Sequence, residues 1–236
     1  MSPNASPSPD ASLSAHDAAT PDASTETFRN AFRQAVPAGY SGIRHGLTIL
    51  GIGLVLIGLA LAGLQGPVRA WEWAFAVPVV LIWNGLEWLG HRALHRPGRG
   101  PLARALYARH TLTHHRFFTR QAGALRDSRD LKIVFFPWFA ILLLTAMALP
   151  AVLLIALVVS VNAALVSLMA WVGIYLVFEF MHLCAHLPEG ARLARVPGLA
   201  AMRRHHLAHH DPRLMMQANM NFTLPLADWL AGTRQP

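Results

Sequence analysis

Charged residues are scarce in this chain of 236 residues. They make up 14% of the sequence, against roughly a quarter in a soluble domain, whereas hydrophobic residues make up 54%. This balance predicts a membrane protein. Cysteine is nearly absent as well, and the single Cys184 excludes both an intrachain disulfide and a CxxC zinc or redox motif.

Acidic residues and lysine are also few. The chain has 12 acidic residues against 20 basic ones, and 19 of the basic residues are arginines. A basic protein can bind nucleic acid, but arginines that flank apolar helices are more typical of the anionic cytoplasmic face of a membrane. We therefore predict a membrane setting and no nucleic-acid partner.

The first 40 residues lack a long apolar segment. Residues 1–27 are mostly Ser, Ala, Pro, Asp and Thr, which predicts disorder and excludes a signal peptide. Apolar residues recur every four positions in Glu26–Val36, a pattern compatible with a short helix on the membrane surface or with a frayed linker. We assign residues 1–40 to a tail and residues 41–236 to a membrane-embedded domain.

Long apolar segments dominate that domain. Gly46–Leu64 is uncharged, and Trp71–Leu89 follows after a Gly-Pro turn. Ile133–Phe178 contains 46 residues without a charge. As one helix it would be about 69 Å long, more than twice the bilayer core, so it must fold back, at Pro150 or near Ser160–Asn162. The prediction is an all-α integral membrane protein with four transmembrane helices in two hairpins.

The basic residues predict how these hairpins are oriented. The segment between the hairpins and the C-terminal segment carry 16 of the 20 basic residues. By the positive-inside rule, both termini and a histidine-rich helical cap face the cytoplasm of an inner or cell membrane.

Histidines are the most distinctive feature of the polar segments. Ten of the thirteen fall into four groups: His91 and His95; His110, His114 and His115; His182 and His186; and His206, His209 and His210. Residues four apart share one face of a helix. Because two hairpins place all four groups on one side of the membrane, the groups can converge on a metal site.

The number and type of these side chains limit the metal. Ten ligands exceed what one ion takes, since zinc closes with four, so we predict two ions. Nitrogen ligation excludes magnesium and calcium and suits iron, zinc or copper. An oxidative reaction would select iron, because zinc has no redox chemistry.

Three acids accompany the histidines and are candidates for catalytic or ligand-orienting roles. Glu87 and Glu179 lie about one helical turn before the first histidine of their groups, and Asp211 directly follows His210. The alternative is that Glu87 and Glu179 only cap the interfacial ends of helices. The two halves of the chain repeat the order acid, HxxxH pair, histidine cluster, and in that register His205 competes with His206 as the first ligand of the last group.

Together these motifs resemble the sterol desaturase / fatty acid hydroxylase superfamily of membrane di-iron oxygenases. The boxes are HRALH from His91, HTLTHH from His110, HLCAH from His182 and HLAHH from His206. The approach WNGLEWLGHRALH and the closing NFTLPLADWLAGT are also similar to the family pattern. The second box has three residues between its first two histidines where two are more usual, and the pattern favours His206 over His205.

The resemblance implies two iron ions, O₂ as co-substrate and an external electron donor, a reductase or a ferredoxin-like protein. The implied reaction is hydroxylation of a C–H bond in a membrane lipid, a fatty acyl chain or a related lipid. A desaturase or a carotenoid- or sterol-type hydroxylase of the same superfamily is the alternative. We expect the C-terminal segment with Phe222, Leu224 and Trp229 to roof the site.

Two functions from other classes remain open on the sequence alone. A metal transporter or sensor would place histidines and acids along a path inside the membrane. Here the groups flank the helix ends, which favours a site over a conduit. A basic lipid-binding scaffold would tolerate the loss of His114, whereas an enzyme would not.

Overall fold

The computed structural model describes residues 23–235, and this part of the chain contains helices and no strand. The predicted all-α class is confirmed. The disorder predicted for residues 1–27 lies outside the described residues, except for the last five, which begin the first helix. The helices are α1 Ala23–Ala35, α2 Gly42–Ala62, α3 Ala70–Trp73, α4 Ala76–Leu94, α5 Pro101–Tyr107, α6 His115–Phe117, α7 Leu131–Val134, α8 Ala140–Val158, α9 Val161–Ala185, α10 Pro197–His209 and α11 Leu226–Leu230, with a π-helical segment at Ala108–His114 and 3₁₀ turns at Ser128–Asp130 and Leu193–Arg195.

Four helical segments are long and apolar enough to cross a membrane. They are α2, the span Ala70–Leu94 that joins α3 and α4, α8 and α9. These are the four segments predicted from the sequence, with helix ends that differ by a few residues. Apolar side chains such as Leu54, Leu81 and Leu157 are exposed along them, which suits contact with lipid tails.

Helix α9 lies at the centre of the bundle. It packs against α2, α4 and α8, and its polar end also contacts α10. In its most apolar stretch 44% of the residues are buried, against 11–17% in the other three spans, so α9 is enclosed by protein while the others face outward. The histidine pair at the end of α9 is therefore held on the most enclosed helix.

The turn of the second hairpin lies at Val159–Ser160, one of the two predicted positions. Ser160 caps α9 by accepting a hydrogen bond from Ala163 N at 3.0 Å. Pro150, the other candidate, lies inside α8, which continues through it. The two hairpin turns are joined, because Ser160 Oγ donates to Glu72 Oε1 at 2.7 Å and Gln65 N donates to Asn162 Oδ1 at 2.8 Å.

The segments between α4 and α8 and the segment after α9 form a polar cap at one end of the bundle. Helix α1 packs against this cap through its arginines. The Arg29 side chain is fully buried and donates to Phe117 O at 2.7 Å and to Ala122 O. Arg33 forms a bidentate ion pair with Asp130, with N–O distances of 2.8 and 3.0 Å. These bonds hold the stretch that follows the second histidine group in place.

Gly42 allows α2 to approach the cap closely. A Cβ there would lie 2.6 Å from Ser128 O and 2.8 Å from Leu131 Cβ. We expect Gly42→Ala to lower the free energy of unfolding by about 1–3 kcal/mol, because backbone must move. Gly51→Ala, in open space on the same helix, should be neutral or stabilising by about 0.5–1 kcal/mol. Thermal unfolding in detergent measures both, and equal effects would contradict the close approach.

Candidate metal centre

The four histidine groups sit on helix ends that converge. His91 lies in the last turn of α4 and His182 in the last turn of α9, and His95 and His186 are the residues that cap these helices. The π-helical segment and the start of α6 carry the second group, and α10 with its capping residue His210 carries the fourth. Histidines three or four residues apart share one face of a helix, so a helix end can present two imidazoles to the same space.

The structure brings nine of the ten predicted ligands into two buried groups. Within each group the candidate ligand atoms lie within 4.8 Å of one another. The first group is His91, His95, His110, His115 and His209, and the second is His114, His182, His186 and His206. The tenth, His210, lies beside both, with its ring centroid 4.2 Å from that of His115 and 4.7 Å from that of His206.

Each group combines both halves of the chain. The first takes four histidines from the first half and His209 from the second. The second takes three from the second half and His114 from the first. His114 and His115 are adjacent in sequence but belong to different groups, so this short segment links the two sites.

The nitrogen spacings match those of ligands around a shared ion. Two nitrogens bound about 2.1 Å from one ion are about 3.0 Å apart at a right angle and about 3.4 Å apart at the tetrahedral angle. The observed Nε2–Nε2 distances are His95–His209 3.0 Å, His95–His110 3.3 Å, His110–His115 3.2 Å, His114–His182 3.4 Å, His186–His206 3.0 Å and His206–His210 3.0 Å.

Backbone carbonyls fix the tautomer of four of these imidazoles. Because a carbonyl oxygen only accepts, the Nδ1 atom beside it carries the proton and the lone pair is left on Nε2. The contacts are His91 to Met220 O at 2.6 Å, His186 to Gly123 O at 2.8 Å, His209 to Ala218 O at 2.8 Å and His210 to Phe118 O at 2.6 Å.

Several of these lone pairs lack a donor within the described chain. The unprotonated Nε2 atoms of His186 and His210 both face His206 Nε2, whose single proton could bridge to only one of them. The buried Nε2 of His91 has no hydrogen-bond partner in the described chain. An unpaired buried nitrogen is costly, and a metal ion would satisfy all of these lone pairs at once. The donor set therefore fits a transition metal in each group.

Burial keeps the imidazoles neutral. It lowers the pKa of His95 to about 4, and with neighbouring imidazoles it holds the pKa of His110, His115 and His206 well below the usual value. Neutral imidazole is the form that binds metals. The groups are thus ready to bind metal at neutral pH.

The π-helical turn accommodates the unusual spacing of the second box. A π turn takes up one more residue than an α turn and is common at functional sites. His110 has three residues before His114 instead of two, yet its Nε2 lies 3.2 Å from His115 Nε2 and 3.3 Å from His95 Nε2. The extra residue therefore leaves His110 inside the first group.

A family model for fatty acid hydroxylases matches residues 76–233, well over half of the chain. The chain belongs to the fatty acid hydroxylase family. The match runs from α4 into the closing C-terminal segment and includes all four histidine groups. No curated protein and no solved structure matches the chain.

In this member of the family the three acids predicted near the metals bind other partners. Glu87 accepts hydrogen bonds from Phe222 N and from Thr223 N and Oγ1. Glu179 accepts from Tyr175 Oη at 2.6 Å and from Phe136 N. Within residues 23–235 no hydrogen bond joins either acid to an imidazole, so a direct role for them at the metals stays a prediction.

Asp211 is engaged by arginines. It accepts from Arg213 Nη2 at 2.8 Å and from Arg120 Nη1 at 3.2 Å, and these bonds hold its pKa well below the usual value. Asp211 is thus paired at the rim of the cap, one residue after His210. Its catalytic role also stays a prediction.

Asp228 is the acid that local spacing did not single out. It accepts from His205 Nε2 at 3.2 Å, from Met220 N at 2.9 Å and from Asn221 N at 2.8 Å. His205 is therefore bound to a carboxylate and lies outside both groups, whereas His206 lies inside the second. The Asp in the closing NFTLPLADWLAGT segment was the only sequence signal for this contact.

Asn84 joins the closing segment to α4. Its side chain donates to Leu224 O at 2.6 Å and accepts from Ala227 N at 2.9 Å, and Asn221 Nδ2 donates to Asn84 O at 2.9 Å. Together with Glu87, one turn further along α4, these bonds hold the closing segment over the histidines.

Phe222 is the residue of that segment that covers the histidines. Its buried ring has centroid distances of 4.6 Å to His91, 4.9 Å to His182 and 4.8 Å to His206, so it lies against both groups. Leu224 and Trp229, which were expected beside it, are 48% and 69% exposed and face outward instead. Phe222 alone of the three covers the histidines.

Proposed function

We propose that the protein is an O₂-dependent hydroxylase that inserts a hydroxyl group into a C–H bond of a membrane lipid, a fatty acyl chain or a related lipid. The observation that carries the proposal is the pair of buried histidine groups at one end of four helices that are long and apolar enough to cross a membrane. Membership of the fatty acid hydroxylase family supports the reaction type.

The metal in this proposal is iron. All donors are imidazole nitrogens, which suit iron, zinc or copper; an oxidation needs a redox-active ion, which excludes zinc, and membership of the family favours iron over copper. One ion would be held by the first group and one by the second, with His210 available to either. When bound, the iron pair supplies the oxidation: one atom of O₂ enters the C–H bond and the other leaves as water, which takes two electrons and two protons.

The chain's own residues prepare the site for this chemistry. The carbonyls of Gly123, Ala218 and Met220 hold imidazole protons on Nδ1 and aim the lone pairs inward. The ring of Phe222 keeps water away from the space between the groups. In the proposal, Glu87 acts by positioning Phe222, through the bonds to Phe222 N and Thr223.

The membrane setting fits a lipid substrate. The lipid would stay in the bilayer while its reactive carbon reaches the two histidine groups at the helix ends. The arginine-rich segments around these groups favour a cytoplasmic orientation in a cell or inner membrane, and an external reductase or ferredoxin-like donor would deliver electrons from that side.

Comparative lipid mass spectrometry tests the proposal. Cells that express the protein under ¹⁸O₂ should accumulate a lipid heavier by one labelled oxygen, and cells that express His95→Ala at the same level should not, because the first group is incomplete. A lipid that lacks two hydrogens would instead indicate a desaturase. Metal flux into vesicles with no changed lipid would indicate a transporter and contradict the proposal.

A further inference from the structure

A cavity outside the two histidine groups is lined by basic side chains. It has a volume of about 380 Å³ and opens where the starts of α2 and α8 meet the cap. Its lining includes Tyr40, Arg44, His45, Arg109, Lys132 and Trp138. None of these residues belongs to either metal group.

The cavity is cationic and lacks acidic residues. In the part of the chain that the structure describes, its lining contains three basic side chains and neither Asp nor Glu. Arg109 donates to Lys132 O at 2.8 Å and to Phe135 O at 2.6 Å, and it interacts electrostatically with Glu179 behind it. For Arg44 and Lys132 no salt bridge is found among residues 23–235. Arg44 donates to Gly39 O, and Lys132 Nζ lies 5.9 Å from the centroid of the Tyr40 ring, so both are held at the cavity without a carboxylate partner among the described residues.

The start of α2 adds to this positive field. The helix has 21 residues, and its N-cap Ser41 lines the cavity. A helix N-terminus carries a partial positive charge and attracts phosphate-like anions. The hydroxyl of Tyr40, 3.0 Å from His45 Nδ1, also lines the wall, whereas the hydroxyl of Thr48 already donates to Arg44 O at 2.8 Å. Basic side chains and a helix start suit a phosphate ester.

The position of the cavity favours a lipid as the source of that phosphate. Ile43 and Leu47 on α2 are 69% and 60% exposed, and Trp138 at the rim is 52% exposed. Exposed apolar residues and a tryptophan at the end of a membrane span mark the interface where headgroups lie. We propose that the cavity binds the phosphate group of an anionic membrane phospholipid, as basic pockets between membrane helices can do.

Native mass spectrometry of the detergent-purified protein tests this proposal. Delipidated wild type would be titrated with phosphatidylglycerol and with zwitterionic phosphatidylcholine. We expect a preference for phosphatidylglycerol that the double variant Arg44→Gln, Lys132→Gln reduces by about 10- to 30-fold, given the contribution of each basic residue near an anionic headgroup. The matched control Arg99→Gln, Arg104→Gln removes two exposed charges from the same cap and should keep the preference.

Three results would overturn the proposal. The first is a wild type without preference, and the second is an equal loss in both double variants, which would indicate a diffuse basic surface. The third is displacement of phosphatidylglycerol by inorganic phosphate at equal concentration, which would indicate a soluble phosphate ligand. The readout is lipid binding, so failure here leaves the proposed hydroxylase untouched.

Discussion

His206→Ala is expected to reduce bound iron by about half and turnover by more than about 100-fold. Its Nε2 lies 3.0 Å from the Nε2 atoms of both His186 and His210, so its loss opens the second group. Removing residues that only orient a metal ligand costs about 10–100-fold in affinity or activity, and losing a ligand should cost more. Elemental analysis of the purified protein and the lipid product assay measure the two effects.

The neighbouring histidine provides the matched control. His205 is also buried, but it contacts Asp228 and belongs to neither group. His205→Gln keeps a side-chain donor for that carboxylate, so iron content and turnover should stay close to wild type. If His205→Gln loses iron while His206→Ala keeps it, the assignment of the second group is wrong.

The membrane spans could be predicted from the sequence because their physical cause is local. A segment that is apolar over the width of a bilayer is most stable as a helix across it, and all four predicted segments form helices of suitable length and composition. The position of the turn in the second hairpin was harder to predict. Pro150 is exposed on α8 and is tolerated within the helix, whereas Ser160 caps the start of α9 and therefore marks the turn.

The histidines could be predicted as a set but not as two groups. Spacing shows which imidazoles share a face of one helix, but not which helix ends meet. His209 joins the group of His91, and His114 joins the group of His182, because α4, α9 and α10 converge in the folded chain. The adjacent residues His114 and His115 belong to different groups because the side chains of consecutive residues on a helical turn point in different directions.

The acids show the same limit. Glu87 lies one turn before His91, which suggested a bond to the metal ligands, but it accepts hydrogen bonds from a segment 135 residues further along the chain. Contacts of this kind leave no local spacing pattern. Asp228 was missed for the same reason, although it organises the segment that covers both groups.

Asp228→Ala is expected to destabilise the protein by about 3–5 kcal/mol, because it leaves several buried donors without an acceptor. Asp228 is fully buried and accepts from His205 Nε2, Met220 N, Asn221 N and Thr233 Oγ1. Thermal unfolding in detergent measures the loss.

The same change should weaken the metal centre through the backbone. Asp228 holds Met220 N, Met220 O accepts from His91 Nδ1, and the next-but-one residue, Phe222, packs on both groups' rings. We therefore expect turnover in Asp228→Ala to fall by about 10–100-fold, as for other lost partners of metal ligands.

A surface carboxylate separates this effect from a general loss of charge. Glu189 is 58% exposed at its side chain and pairs with Arg203 at 3.6 Å, so Glu189→Ala should cost about 0–1 kcal/mol and keep full turnover. Asp228→Asn, which keeps the shape and one acceptor oxygen, should fall between the two. If Asp228→Ala unfolds at the wild-type temperature with full turnover, the closing segment does not depend on this carboxylate, and other contacts, such as those of Glu87 and Asn84, must hold Phe222 over the histidines.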